Sequence, residues 1–532
     1  MSVRISRRSV LSMLGLSAAG AALAACGAQP APTNTAAPAK PAAAEPTAPP
    51  KPTEAPKPTE ALKPAAEPTK PAAEPTKPAA AAAAPTDTPA AAATKPAEPT
   101  KPAAAAKPAV TPTPAPPQLK AGQKLVTVMY NAGEFKDQHI EAYEKENPTV
   151  RLYRVNTDHV QLIAMTSAGT PPDIYRVQAP DIPSFLTRKM VKDLTPYFRD
   201  SKLMKVDDLA DANKNYWFEG YTPGRGKIYG ITKDWSPDMT LYANKKLFDA
   251  AGVPVPSDEK ALTYQEVAEL AQKLTKRAGD RTEVIGFAYN NPWFDRIVEV
   301  QLNEKGASLW APDFSKLQLQ TPEVKDVLQY WFDLDKKNVT FNPLNPSTSW
   351  PGDQFTKNQV ALIQYGYWFS AMAESDDTKG NVVKLPSATW GPQHKSPTIT
   401  ATGHLIHEKS KVFDEAWKVF EWFSAGDPSV ERAKSGWGVP ALKSQWKLMP
   451  VETPFQKQVQ KVLQSELKMS DVAVKYNPYI NVSENTSRNT FNGSYFKHLE
   501  AALKNQISFD QLLGNVEKEV NAAIKEGMDR LQ

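Results

Sequence analysis

Histidines and carboxylates are the residues of this sequence whose types could support catalysis or metal binding. The histidines are His139, His159, His394, His404, His407 and His498. They form no His-Glu-x-x-His motif. His404 and His407 lie in an apolar run with strand character, where side chains three residues apart point to opposite faces. The sequence also contains no Walker phosphate loop and no Gly-x-Ser-x-Gly elbow. We predict no metal, no cofactor and no catalytic residue, although the many carboxylates leave a glycoside hydrolase open.

The single cysteine, Cys26, ends an apolar segment at the N-terminus. Arg7 and Arg8 precede this segment, which is shorter than the roughly 20 apolar residues that span a bilayer, so a signal peptide is predicted over residues 1–26. The arginine pair resembles a twin-arginine export signal, although such pairs also occur in Sec signals. The residues from Leu23 to Cys26 resemble a bacterial lipobox, in which the cysteine after the cleavage site carries lipid. We predict lipidation at Cys26.

A segment of low complexity follows the signal peptide. Residues 27–118 consist largely of Pro, Ala, Thr, Lys and Glu, and the unit Glu-Pro-Thr-Lys-Pro-Ala-Ala begins at Glu67, Glu74 and Glu98. Because the segment contains no aromatic residue, it cannot bury enough apolar area to offset the entropy of ordering. We predict a disordered linker that extends as a proline-rich spacer, with an O-glycosylated or wall-binding stalk as the alternative.

Residues 119–532 have the composition of a folded domain. The net charge of +5 belongs to the signal peptide and linker, so this part has equal numbers of basic and acidic residues, which argues against nucleic-acid binding. It contains all 12 tryptophans of the chain and no cysteine, so its core must be stable without disulfides. Its length favours two lobes over one simple core.

Strand and helix patterns alternate at the start of this domain. Strands are predicted at residues 124–130, 150–155 and 173–177, with helices at 135–146 and 161–168 between them. Such alternation predicts an α/β fold with parallel strands and crossover helices. In sheets of this kind, ligands bind at the carboxyl ends of the strands.

Six segments resemble, in the same order, motifs of the bacterial family 1 extracellular solute-binding proteins. They are Ser167–Ile174 (SAGTPPDI), Val191–Tyr197 (VKDLTPY), Gly226–Thr232 (GKIYGIT), Leu241–Gly252 (LYANKKLFDAAG), Phe355–Leu362 (FTKNQVAL) and Ala416–Phe423 (AWKVFEWF). The sequence departs from the family at Thr232, where proline is usual, and at Ala243, where tyrosine is frequent. The resemblance covers nearly the whole domain.

The resemblance implies the two-lobe periplasmic-binding-protein fold of type II, similar to that of maltose-binding protein. The ligand would lie between the lobes, which close about crossing segments near residues 233–237 and 385–387. The implied lobes are lobe 1, at about 119–237 and 388–438, and lobe 2, at about 238–387 and 439–532. As partners it implies a small-molecule solute, the permease subunits of an ABC importer and, through Cys26, the extracytoplasmic face of the cell membrane.

The resemblance also indicates which side chains would meet the ligand. Aromatic rings pack on the apolar faces of sugars, while polar side chains bond to their hydroxyls. The candidates at strand ends and crossings are Tyr130, Trp235, Asp238, Trp293, Tyr367, Trp368 and Trp437. In contrast, Trp417 and Trp422 lie on an amphipathic helix and are predicted to be core residues.

We therefore interpret the chain as an exported lipoprotein that binds a sugar or short oligosaccharide for an ABC importer. A binder of a polyamine or an iron chelate is the alternative, followed by a carbohydrate-active enzyme. A polyamine site would need several carboxylates beside aromatic rings, and an iron site would need clustered tyrosines and anions.

The first prediction concerns the anchor. Replacing Cys26 by alanine removes the thiol that would carry the lipid, so we expect the chain to be released from membranes or left with its signal peptide attached. Fractionation of cells and mass spectrometry of the N-terminus measure this. A wild-type chain that is soluble and free of lipid would contradict the prediction.

Overall fold

The computed structural model describes residues 115–279, 281–470, 476–480 and 490–531. The predicted signal peptide, the lipidation site and nearly all of the predicted linker lie outside them. The described strands are β1 (Lys124–Met129), β2 (Val150–Val155), β3 (Ile174–Gln178), β4 (Trp217–Glu219), β5 (Thr222–Pro223), β6 (Lys227–Ile228), β7 (Gly230–Thr232), β8 (Asp234–Trp235), β9 (Leu241–Asn244), β10 (Lys276–Ala278), β11 (Arg281–Ala288), β12 (Val360–Gln364), β13 (Val382–Leu385), β14 (Thr402–Ile406) and β15 (Val439–Pro440).

The helices are interleaved with these strands. They are α1 (Asp137–Glu146), α2 (His159–Ser167), α3 (Ile182–Thr187), α4 (Thr195–Asp200), α5 (Lys245–Ala250), α6 (Tyr264–Leu274), α7 (Phe294–Glu304), α8 (Pro322–Lys336), α9 (Pro351–Thr356), α10 (Ser370–Ala373), α11 (Phe413–Ala425), α12 (Asp427–Ser435), α13 (Pro454–Glu466), α14 (Phe491–Leu503) and α15 (Phe509–Asp529). Among the described residues, no helix has the length and apolar composition that a membrane span requires.

The predicted elements at the start of the domain are present with small shifts at their ends. Helix α2 begins at His159, two residues before the predicted start, because Asp158 caps it. The Asp158 carboxylate accepts hydrogen bonds from the backbone N–H groups of Val160 (2.8 Å) and Gln161 (3.0 Å). These bonds satisfy donors that the first turn of a helix leaves free.

The first five-stranded sheet has the order β2-β1-β3-β14-β7 and defines lobe 1. Strand β1 runs parallel to β2 and β3, whereas β14 is antiparallel to β3 and β7. The carboxyl ends of β1, β2 and β3 therefore meet at one edge of the sheet. Helix α11 packs against this sheet, and its Trp417 and Trp422 lie partly buried beside the lobe 1 core, as predicted.

His404 on β14 and His407 just after it contact different helices. The His404 ring lies 2.8 Å from the hydroxyl of Ser424 on α11. The His407 ring lies 3.1 Å from the hydroxyl of Thr166 on α2. The two rings thus face different helices, which agrees with the predicted opposite orientation of side chains three residues apart in a strand.

The second five-stranded sheet has the order β10-β11-β12-β9-β13 and defines lobe 2. Strands β11 and β12 are parallel, so their carboxyl ends lie at the same edge. The buried core around them includes residues of α6, α7, α8, α14 and α15, with the fully buried Trp331 among its largest side chains. This edge carries the lobe 2 residues of the site described below.

Residues 233–240 connect β7 of lobe 1 to β9 of lobe 2, and residues 386–401, a longer stretch than the predicted crossing at 385–387, connect β13 of lobe 2 to β14 of lobe 1. These two crossing segments meet at the buried carboxylate of Asp238. One oxygen accepts from the Ser236 hydroxyl (2.8 Å), and the other accepts from the backbone N–H groups of Ile399 (2.8 Å) and Thr400 (3.0 Å). Thr398 and Thr400 add their hydroxyls. Asp238 thus joins the first crossing segment to the second.

The Asp238 carboxylate also restricts the residue type at position 366, which lies against it. A Cβ added to Gly366 would overlap the Asp238 carboxylate and the Ser236 hydroxyl. The chain can therefore approach the crossing this closely only with glycine at position 366. Two residues farther along is Trp368, which is a candidate ligand contact. The crossing and the loop that carries this tryptophan are consequently in direct contact.

Replacing Asp238 by asparagine tests this crossing. The amide has one acceptor oxygen where the carboxylate has two, so at least one buried donor should be left without a partner. We expect the free energy of unfolding to fall by about 2–3 kcal/mol, measured by urea denaturation of the purified chain. Asp207→Asn, at an exposed site, is the matched control. Unchanged stability would refute the structural role of Asp238.

Candidate functional site

A cavity of about 130 Å³ opens where the edges of the two sheets face each other. We call it the cleft cavity. Its lining residues are Glu134, Arg176, Gln178, Lys233, Asp234, Trp293, Trp368, Thr400, Thr402 and Trp437. Trp293 and Trp368 follow β11 and β12 of lobe 2, while most of the polar residues lie at the ends of strands in lobe 1. The cavity therefore lies at the carboxyl ends of the parallel strands, as the α/β pattern predicts.

The three tryptophans of the lining contact one another through Trp368, and we call them the aromatic wall: Trp293, Trp368 and Trp437. The ring centroids of Trp368 lie 6.0 Å from those of Trp293 and 6.1 Å from those of Trp437. Trp293 and Trp368 are partly buried, whereas Trp437 is 36% exposed. Such rings offer flat apolar surface to a ligand.

Trp437 belongs to a different part of the chain from the other two tryptophans. It follows α12, beside lobe 1, and stands between Gly436 (φ 74°) and Gly438 (φ 100°). Both glycines adopt backbone conformations that other residues rarely reach. The tight turn they allow brings Trp437 across the cleft to Trp368 of lobe 2. The aromatic wall is thus assembled from both sides of the cleft.

Aromatic residues behind Trp368 hold it in place. The buried ring of Tyr365 lies 4.9 Å from it, and the ring of Trp350 lies nearly parallel to it at 6.2 Å. Tyr365 also contacts Trp293 at 6.0 Å. A side chain supported in this way loses little further freedom when a ligand binds, which favours affinity.

Four charged side chains, Glu134, Arg176, Lys233 and Asp234, form what we call the charged wall. The Arg176 Nε donates to both oxygens of Glu134, at 3.2 and 3.0 Å. The Lys233 ammonium pairs with Asp234 and lies 3.5 Å from Glu134. The wall therefore holds two cations and two carboxylates in mutual contact.

These contacts set the protonation of the wall. Burial alone would raise the pKa of Glu134, but the charges of Lys233 and Arg176 outweigh it and lower that pKa to about 2. Burial raises the pKa of Asp234, although Lys233 opposes the shift. Glu134 is consequently ionised at neutral pH, which suits a hydrogen-bond acceptor and excludes it as a general acid.

Gln178, at the end of β3, links the cavity to lobe 2 through a buried arginine. Arg296 on α7 is 2% exposed, and its Nη1 donates to the Gln178 side-chain oxygen at 2.5 Å and to the Ile399 carbonyl at 3.2 Å. One guanidinium thus connects a helix of lobe 2 with a strand of lobe 1 and with the second crossing segment. These two hydrogen bonds of Arg296 hold lobe 1 and lobe 2 together beside the cavity.

Of the residues predicted from sequence, the structure brings Trp293, Trp368 and Trp437 together at the cavity. Trp235 is buried, donates from its indole nitrogen to the Pro440 carbonyl at 3.2 Å and does not line the cavity. It pairs instead with the strand β15. We leave Trp235 out of the proposed contact set.

Three further predicted residues also lie away from the cleft cavity. Tyr130 is buried in lobe 1, with its hydroxyl 3.0 Å from the His404 ring. Tyr367 accepts a hydrogen bond from Gln460 at 3.1 Å. Asp238 lies at the crossing described above. Their hydrogen bonds are made within the protein, so we do not include them among the proposed contacts.

The charged wall, Gln178 and the two threonines of the cavity were not among the predicted site residues. A signal for part of this set was present, because Glu134 follows β1, Arg176 lies on β3 and Gln178 ends β3, near the edge where α/β sheets bind ligands. Lys233 and Asp234 lie in the predicted first crossing. Polar residues at the ends of predicted strands therefore point to the site as clearly as tryptophans do.

Comparison with solved structures places the fold. An ABC substrate-binding protein from Listeria monocytogenes, solved with cycloalternan, is 20% identical over 75% of this chain and 98% of its own, with a TM-score of 0.62. The sugar-binding protein MalE of Xanthomonas citri is 16% identical over 76% and 98%, with a TM-score of 0.57. A solute-binding protein from Thermotoga lettingae, solved with alpha-D-tagatose, is 15% identical over 76% and 100%, with a TM-score of 0.59.

These similarities confirm the predicted α/β fold with two lobes, of the periplasmic-binding-protein type. No curated protein matches the chain by sequence. The family model described as bacterial extracellular solute-binding protein matches residues 127–425, more than half of the chain. The order of motifs, the two sheets and the cleft between them agree with this match, and the chain belongs to the bacterial extracellular solute-binding protein family.

Proposed function

We propose that this protein captures a sugar or short oligosaccharide outside the cytoplasm and delivers it to the permease of an ABC importer. The observation that carries the proposal is the pairing of an aromatic wall with a charged wall across one cleft. The sugar-bound proteins from Listeria monocytogenes and Thermotoga lettingae, which share the fold, support it.

The two walls suit the two kinds of surface on a sugar. The C–H face of a pyranose ring would pack on Trp368 or Trp293, which contributes roughly 1–3 kcal/mol for each ring. The hydroxyls would bond to Glu134, Arg176 and Gln178, together with the threonines of the cavity. Because an unpaired buried polar group costs about 1–3 kcal/mol, these bonds would select among sugars.

The charge balance of the wall favours a sugar over a polyamine. A polyamine needs carboxylates that are free to receive ammonium groups, but Glu134 is bonded to Arg176 and Asp234 is paired with Lys233. An iron chelate is favoured even less, since no tyrosine is among the lining residues of the cleft cavity. The carboxylates also stand on one wall, whereas a glycosidase needs two that flank the bond to be cleaved.

Contacts between the lobes suggest how the cleft would open. Trp437 meets Trp368 across it, and a hinge motion that separates the lobes would part these rings. The ligand would enter then, and its surface would be enclosed when the rings return. The segment around Asp238, which is held by buried hydrogen bonds, would be the axis of this motion.

The N-terminal part of the chain would keep the binding domain near its permease. We propose that Cys26 carries the lipid anchor and that the proline-rich linker sets the distance from the membrane. A spacer of this composition is extended and semi-rigid, at about 3.1 Å per residue. Capture and delivery would then take place at the extracytoplasmic face of the membrane.

A thermal-shift screen of the full chain tests the function. The library contains neutral and acidic mono- and oligosaccharides, with polyamines and iron chelates as separate arms. A ligand at 100 times its dissociation constant should stabilise the chain by about 2.7 kcal/mol, and we expect such shifts only in the carbohydrate arm. Stabilisation by polyamines or iron chelates alone would assign the cleft to the other class of solute.

The aromatic wall gives a sharper prediction. Trp368→Ala should weaken the binding of the best sugar about ten- to a hundredfold, since 1.4 kcal/mol is a factor of ten. Isothermal calorimetry measures the affinity, and urea denaturation measures the stability of the free chain. Trp368 borders the cavity, so its loss should reduce stability less than the loss of a core tryptophan.

Trp417→Ala is the matched control, because Trp417 packs against Phe420 and Phe198 away from the cavity. This change should cost about 3–5 kcal/mol of stability and leave the affinity of the folded chain near that of wild type. Should Trp368→Ala destabilise the chain as strongly as Trp417→Ala while its affinity stays intact, Trp368 belongs to the core and not to the site.

A further inference from the structure

A second cavity, of about 430 Å³, adjoins the cleft cavity and shares Glu134, Lys233 and Trp437 with it. We call it the side cavity. Its other lining residues are Asn131, Gly133, Lys136, His139, Glu431, Arg432 and Ser435. A ligand in the cleft cavity that extends past Trp437 would enter this space. The residues of the side cavity would then decide which sugar unit follows the first one.

Each carboxylate of the side cavity already has a cationic partner. Glu431 accepts from the Lys136 ammonium at 2.5 Å and lies 3.0 Å from the His139 ring. Glu134 accepts from Arg176 at 3.0 Å. Burial lowers the pKa of His139, so its ring adds no charge at neutral pH.

Of the cations that line the side cavity, Lys136 and Lys233 are paired with carboxylates, whereas Arg432 has no ion pair among the described residues. Its Nη2 donates to the Phe423 carbonyl at 2.8 Å, and its guanidinium lies 4.5 Å from the centre of the Phe423 ring. Its Nε and Nη1 are buried and have no acceptor among the described residues. A buried cationic donor without an acceptor is costly, so the site favours a ligand group that supplies negative charge.

The sum of the charged side chains that line the two cavities also favours an anionic ligand group. The cations are Arg176, Lys233, Lys136 and Arg432, and the carboxylates are Glu134, Asp234 and Glu431. One positive charge is in excess, inside a cleft where the protein screens charges less than water does. A neutral sugar would leave this charge uncompensated.

We propose that the side cavity is a subsite for a carboxylate and that the natural ligand is an acidic oligosaccharide containing a uronic acid. The inference rests on the proposed sugar-binding function and narrows it. The neutral part of the ligand would pack on the aromatic wall, and the carboxylate would lie beyond Trp437, near Arg432. A carboxylate accepts charge-assisted hydrogen bonds, which are about twice as strong as neutral ones.

A glycan array probed with the labelled full chain tests the proposal. The array carries neutral oligosaccharides together with uronate-containing, phosphorylated and sulfated ones. We expect the strongest binding to the uronates. For the best of them, calorimetry should show an affinity about ten- to a hundredfold above that of its carboxyl-reduced counterpart, the range for one charge-assisted hydrogen bond. The affinity should also fall as salt is added.

The outcomes separate the two proposals. Strong binding only to neutral sugars would overturn the carboxylate subsite and leave the sugar-binding function standing. A preference for phosphorylated or sulfated glycans would overturn the assignment to a carboxylate. Binding to no glycan at all would overturn both. These results use the wild-type chain and do not depend on the folding of a variant.

A pair of variants places the subsite at Arg432. Arg432→Gln should weaken uronate binding about ten- to a hundredfold and leave binding of the carboxyl-reduced sugar nearly unchanged. Lys434→Gln is the matched control, because it removes the same charge from the same helix at an exposed position. Circular dichroism checks that both variants fold. Wild-type affinity of folded Arg432→Gln for the uronate would refute the role of Arg432.

Discussion

A carboxylate that is removed from water needs hydrogen-bond donors, and Asp238 finds its donors on both crossing segments. This requirement brings residues 236–238 and 398–400 together at the base of the cleft. The loop that carries Trp368 must then pass beside the same carboxylate, which is possible because position 366 is glycine. The close approach of the two crossing segments and of the Trp368 loop is thus organised around this one buried carboxylate.

The two walls of the cleft have different tasks because they are built from different elements. The aromatic wall lies mainly on loops that follow parallel strands of lobe 2, with supporting rings behind Trp368. The charged wall lies at strand ends of lobe 1, where Arg176 and Glu134 fix each other. In the proposed function, one wall would provide apolar contact area and the other would provide directed hydrogen bonds. The cleft would then combine affinity with selection among sugars.

Periodicity and turn signals were enough to predict the first elements of the domain, since alternation of strands and helices depends on local sequence. The order of motifs identified the family and the two lobes. The three tryptophans at positions 293, 368 and 437 were predicted at the cleft, because an aromatic residue beside glycine or in a loop is visible in the sequence, and their contact with a ligand stays a prediction. Lipid attachment at Cys26 stays a prediction.

The contacts within the charged wall could not be predicted in the same way. Glu134 and Arg176 are far apart in the sequence, and their contact exists only because β1 and β3 are neighbours in the sheet. Trp235 is a residue that was predicted at the site and is not found there. It lies in a crossing segment, but β8 pairs with β15 and the Trp235 ring is buried away from the cavity. Such contacts depend on which strands pair in the fold, and a single sequence does not specify that pairing.

The unequal pKa values within the charged wall determine how the cleft responds to acid. Asp234, whose pKa is raised, takes up a proton before Glu134, whose pKa is about 2. Lys233 then loses its anionic neighbour at position 234, and the cleft gains one positive charge, while the contact between Glu134 and Arg176 is kept. A protein held outside the cytoplasm meets surroundings that the cell does not buffer. Acidification there would make the charged wall more attractive to anions.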